Sequence, residues 1–158
     1  MTDYHLLTEL LNLPHVRVLH YRLVGSAKIE LTIESDLAAA LCPHCQQVRL
    51  TVHETGEPQV IRDLPMWHRR CWLHYAPRRF ACASCQRTFV EQVVWREAGQ
   101  AYTQRYTEFI YQRARREPIA HIAEEQQLSE DIVQGLFERE AKKTCWPGLS
   151  ASEGVVFR

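Results

Sequence analysis

With 158 residues, 46% of them hydrophobic, the chain can form one ordinary domain or two small ones, and neither half can bury a generous core unaided. No apolar stretch approaches the roughly 20 residues needed to cross a bilayer, and the acidic, polar start lacks a secretory signal, so the expectation is a cytoplasmic protein. The 19 Lys/Arg and 19 Asp/Glu cancel overall but not locally: residues 66–117 hold ten arginines against four glutamates, a net of +6.

In chain order, Thr2 or Asp3 can cap a short helix through Asn12, with Leu6, Leu7, Leu10 and Leu11 on one side and Pro14 marking its end. A hairpin follows. Val16, Val18 and Tyr21 supply one apolar face, Gly25-Ser26 the turn, and Ile29, Leu31 and Ile33 the matching face of the second strand. Three more short strands are expected at Val48–His53, Val60–Leu64 and Cys71–Tyr75. After Phe89 the period becomes helical: Tyr102, Tyr106, Phe109, Ile110 and Ala114 lie on one helix that Pro118 closes. Two further helices are expected at Ile119–Gln126 and Ser129–Lys143, and then a loose tail over 144–158.

Cys42-Pro43-His44-Cys45 and Cys82-Ala83-Ser84-Cys85 are two CxxC turns, each able to present two thiolates on one side of a tight loop. Together they complete a tetrahedral set, so Cys42, Cys45, Cys82 and Cys85 are expected to hold one structural Zn2+ with no position left open for catalysis. A redox pair, an iron–sulfur site and disulfides are the alternatives. His44, His53, His68 and His74 lie near enough in sequence to compete as ligands, whereas Cys71 sits in a strand pattern as a small core residue.

The arginine band reads either as a solvated surface or as a strip facing phosphates, because the planar guanidinium offers forked donors to anionic oxygens. Residues 119–137 have the spacing of a helix-turn-helix. Ile122, Leu128, Val133 and Leu136 would form its shared core, Ala123 would permit close packing, and Ser129 would cap the second helix. Gln127 stands where glycine usually makes the turn, and a plain helical hairpin is the alternative.

The succession Leu-Pro-His-Val-Arg-Val, Cys-Pro-His-Cys, Ile-Arg-Asp-Leu-Pro, Arg-Arg-Phe-Ala-Cys-Ala-Ser-Cys and the helical segment resembles the N-terminal part of a family of bacterial insertion-sequence transposases. Its most specific pieces are Asp63-Leu64-Pro65 and Arg78-Arg79-Phe80 before Cys82, within a likeness running from about Leu10 to Lys143. In that family a zinc-binding domain and a helix-turn-helix bind transposon ends ahead of a large DDE-type nuclease domain. The resemblance therefore implies an α+β chain: an N-terminal helix and hairpin (1–41), a zinc-ribbon-like β domain (42–97), an all-α helix-turn-helix (98–143) and a tail (144–158).

It also implies a function. The expectation is a module for double-stranded DNA at transposon ends, with Arg69, Arg70, Arg78, Arg79, Arg87, Arg113, Arg115 and Arg116 toward phosphates. Gln134, Glu138 and Arg139 would reach base edges, and Lys142 and Lys143 the backbone. The chain ends where the family's nuclease domain would begin, so no enzyme activity is expected. A full-length transposase or another protein is the further partner implied, and a zinc-stabilised protein-interaction adaptor is the alternative function.

Overall fold

The computed structural model describes residues 4–49 and 51–144. Of the expected tail over 144–158, Thr144 instead ends the last helix, and the remainder, like a capping role for Thr2 or Asp3, lies outside the described residues. The chain divides into two compact units, Met1–Tyr106 and Thr107–Arg158.

The first unit opens with helix α1 (His5–Leu11), which ends at Asn12 in the left-handed region, a conformation asparagine tolerates well. Strands β1 (Val16–Val24) and β2 (Lys28–Ser35) then form the expected antiparallel hairpin. Its register shifts between Val18 and His20, a bulge at Leu19. Val16 and Val18 are buried, whereas Tyr21 and Leu23 beyond the bulge are exposed, because only the first part of β1 is covered. The Val18 amide donates to Thr8 Oγ1 at 3.0 Å, which ties α1 to this edge strand.

Short strands β3 (Ala40–Leu41), β4 (Val48–Arg49) and β5 (Val52–Thr55) lead to β6 (Gln59–Met66) and β7 (Arg69–Tyr75). The last two do not extend from the cysteine knuckles as a separate sheet. They join the N-terminal hairpin in one sheet of order β1-β2-β7-β6, in which β2 and β7 run parallel. The expected boundary at 41/42 is therefore absent, since Ile29, Leu31 and Ile33 stand opposite Cys71, Leu73 and Tyr75 across those two central strands. All six are buried, with Leu11, Leu13, Val16, Val18, Ile61 and Trp95 completing the core. Burial pushes the Cys71 thiol up to about 12, so it behaves as a small apolar side chain.

Strands β8 (Arg78–Ala81) and β9 (Thr88–Val90) complete a three-stranded sheet of order β5-β8-β9. The far edge of β6 is closed by residues 101–103: the Arg62 amide donates to the Ala101 carbonyl at 2.8 Å and the Thr103 amide to the Arg62 carbonyl at 3.0 Å. This pairing places the unit boundary at 106/107, later than the expected 97/98.

Helix α2 (Gln104–Ala114) contains that boundary, and α3 (Ile119–Gln126) and α4 (Glu130–Thr144) follow. Gln127 adopts the left-handed conformation, with its own and the Leu128 amides returning to the end of α3 in a Schellman turn. Ser129 Oγ accepts from the Ile132 amide at 3.3 Å, at the head of α4. Ile122, Ala123, Val133 and Leu136 are buried, and Tyr111 stacks on Phe137 with centroids 5.3 Å apart.

Candidate metal centre and cationic surface

Each CxxC turn is the tip of a small hairpin, β3/β4 for Cys42 and Cys45 and β8/β9 for Cys82 and Cys85. The two knuckles are built alike. The first-cysteine amide donates to the carbonyl of the residue five positions on, Cys42 to Gln47 at 2.9 Å and Cys82 to Arg87 at 2.8 Å. Gln46 and Gln86, each following the second cysteine, take the left-handed backbone that turns the chain back.

Beneath the knuckles Phe80 and Phe89 stack at 5.6 Å, sealing the sulfurs on one side together with Ala40. The Cys42 and Cys85 sulfurs are 3.7 Å apart, those of Cys45 and Cys82 are 3.4 Å apart, and all four lie within 4.8 Å of one another. Four sulfurs at ~2.3 Å from one zinc would be roughly 3.8 Å apart, so the cage fits a tetrahedral Zn2+.

The contacts of the cage set how readily these thiols lose their protons. Burial disfavours the Cys42 thiolate, but the backbone N–H groups of Cys45 and His44 overcome this and lower its pKa. The Gln47 amide favours a Cys45 thiolate, yet crowding by Cys82 and burial hold that thiol up at about 11. Metal binding must expel such protons, which couples affinity to pH. Among the described residues this is the one group of cysteine, histidine or carboxylate side chains placed to hold a metal, so none of the four nearby histidines is a ligand. His44 instead meets the Arg87 guanidinium at 3.3 Å.

The arginine band separates into two kinds of residue. Arg78 is a clamp within the fold: it donates to Glu91 Oε2 at 2.7 Å, Ser35 Oγ at 3.0 Å and the Leu37 carbonyl at 3.0 Å. Glu91 also accepts from the Tyr75 hydroxyl at 2.5 Å, and these donors hold its carboxyl below the usual range against the opposing effect of burial. Arg105 grips the buried Asp63 at 2.8 and 2.5 Å, with Thr103 Oγ1 on the same carboxylate at 2.7 Å. Arg113 bridges Glu117 and Glu125 at 2.6 and 2.7 Å, which raises its own pKa. Arg79 pairs with Glu54 at 2.5 Å where both are half exposed.

The remaining expected contacts lie at the surface. Arg87, Arg115, Arg116 and Lys142 are exposed, while Arg69 and Arg70 are half-buried along their stems. On α4, Gln134 donates to Glu138 and Lys143 pairs with Glu140, both at 2.6 Å, and Arg139 is half-buried. The Asp63–Arg105 and Arg78–Glu91 pairs were not apparent from sequence, because 42 and 13 residues separate the partners and no local period links them.

The model of one protein family, described as the zinc-finger of transposase IS204/IS1001/IS1096/IS1165, matches residues 38–85. This stretch is similar to a transposase-type zinc finger. It contains all four ligands, both knuckles and the β6/β7 hairpin inserted between them. No curated protein and no solved structure matches the chain. Among the described residues no helix is long and apolar enough to cross a membrane.

Proposed function

We propose that the chain is a DNA-binding module of transposase type, in which zinc fixes a ribbon that presents arginines to duplex phosphates. The observation that carries this reading is the match of residues 38–85 to the zinc finger of transposases, on a cage whose sulfur spacing fits zinc. Arg69, Arg70, Arg87, Arg115, Arg116 and Lys142 supply the contacts, since Arg78 and Arg113 are committed to carboxylates inside their units. Helices α3 and α4 act as a helix-turn-helix, with α4 toward a major groove and Gln134 and Arg139 nearest base edges. Transposon ends are the natural target, a full-length transposase the natural competitor, and the chain binds DNA without cutting it.

A duplex-binding titration in rising salt tests this. Neutralising several phosphates makes the affinity fall steeply and linearly on logarithmic axes. A flat dependence removes the phosphate contacts, and strand cleavage in magnesium or manganese removes the non-catalytic reading.

One observation favours a second reading, a protein-interaction adaptor. Leu6 and Leu10 on α1 and Leu19, Tyr21 and Leu23 on β1 are exposed, an apolar surface of a kind that partners cover. Size-exclusion of the zinc-loaded chain with and without duplex DNA separates the two: a DNA-dependent shift supports the first, and self-association without DNA the second.

A further inference from the structure

The hairpin between β6 and β7 is closed by two residues, Trp67 and His68, between the paired Met66 and Arg69. Both have positive φ, 50° and 60°, the pattern of a type I′ turn. Such turns are normally made by Asn-Gly, because bulky side chains are disfavoured in the left-handed region. Trp67 is not part of the core and is 52% exposed. Strain of this kind, kept at an exposed tip, points to use.

The surroundings indicate what that use is. Lys28 stands opposite Arg70 in the parallel pairing of β2 and β7, and the Arg70 amide donates to the Ala27 carbonyl at 2.9 Å. The turn of the β1/β2 hairpin and the Trp67-His68 tip therefore share one end of the sheet. The knuckles lie toward the other end, where Arg78 at the start of β8 reaches Ser35 at the end of β2. Residues 64–70 bring His68, Arg69 and Arg70 to the tip's end and contain no aspartate or glutamate, whereas Lys28 beside them is paired with Glu30. The Nε atoms of Arg69 and Arg70 are buried, so each stem is held, and among the described residues no carboxylate pairs with either guanidinium. Met66 is half-buried against the core and gives the tip a firm base.

We propose that this tip is a base-stacking element: Trp67 lays its indole on a nucleobase while Arg69 and Arg70 hold the phosphates on either side. An aromatic face accepts any base, and flanking cations supply the backbone affinity, as in proteins that stack bases or wedge open a duplex step. The proposal rests on the DNA-binding reading and adds to it a contact that neither the zinc cage nor the helices provide. The same chemistry can come from a single strand or from an unstacked step in a duplex, and the test separates these.

The test uses the full zinc-loaded chain and compares wild type with Trp67→Ala and with the double variant Trp67→Asn/His68→Gly. Each is titrated by fluorescence anisotropy into one labelled sequence as duplex and as single strand. The double variant installs the preferred turn residues, so its melting temperature rises by a few degrees and misfolding cannot explain lost binding. Its affinity, and that of Trp67→Ala, falls about tenfold on the form of DNA that supplies the base. Equal affinity of wild type and both variants for duplex and single strand overturns the stacking role, leaves the DNA reading standing and gives the tip to a protein partner. No binding by wild type to either form overturns both.

Discussion

The two units of this chain are stabilised by different means. The first joins strands far apart in sequence, pairing β2 with β7 across more than thirty intervening residues, and combines buried ion pairs with a cysteine cage that fits zinc. The second is helical, with near neighbours in contact and an ion-pair clamp from Arg113 to glutamates four and twelve residues away. The contrast teaches that an arginine-rich band is not one feature. Arg78 and Arg105 complete a sheet unit, Arg113 completes a helical one, Arg79 pairs with Glu54, and Arg87, Arg115 and Arg116 stay exposed at the surface.

Removing the metal should give the largest contrast between the units. Zinc contributes on the order of 10–16 kcal/mol of apparent folding free energy in small fingers, comparable with a whole domain's stability. Chelation or Cys82→Ser is expected to abolish stoichiometric zinc and melt the β structure while much of the helical signal survives, read by metal content and far-UV circular dichroism. Simultaneous loss of both signals would show that the units are one cooperative structure.

Next in size is the Arg78–Glu91 pair, whose carboxylate is 1% exposed. Glu91→Gln leaves a guanidinium facing a neutral amide, and breaking one side of a buried pair costs about 3–5 kcal/mol. Urea unfolding is expected to show that loss in the first unit alone. The half-exposed Arg113 clamp is smaller: Arg113→Ala should cost about 1 kcal/mol, confined to the helical transition.

Acid offers a finer separation. Lys28 and Arg22 hold the Glu30 carboxyl down at about 2, below its unfolded value near 4.5. Because the folded pKa is the lower one, the stability from these pairs is fully present above about pH 4.5 and is lost as pH falls toward 2. The difference in melting temperature between wild type and Glu30→Gln should therefore be largest near neutrality and vanish near pH 2. A difference that does not change with pH would remove the charge account of this residue.

Much of the local structure was legible in the sequence. The alternation of Ile29, Leu31 and Ile33 and the helical period after Tyr102 give strands and helices where the chain has them, and the CxxC spacing gives the metal cage. What could not be read was long-range: no local pattern says that β7 inserts beside β2, so the hairpin and the zinc region looked like separate domains. The same limit applies to side chains. The ten arginines at 66–117 are alike in sequence, and only distant carboxylates such as Asp63 and Glu91 divide clamps from free charges. The Trp67-His68 turn was hidden for the opposite reason, since it lacks the glycine and asparagine by which such turns are found.

The central claim is that this zinc-fixed unit lends unneutralised arginines to DNA, and the salt slope of duplex binding tests it most directly. The account predicts a steep negative slope for the zinc-loaded wild type that falls by about 2 in Arg69→Gln/Arg70→Gln, one for each phosphate contact removed. An unchanged slope in that variant, or no duplex binding by the zinc-loaded chain at low salt, would contradict it.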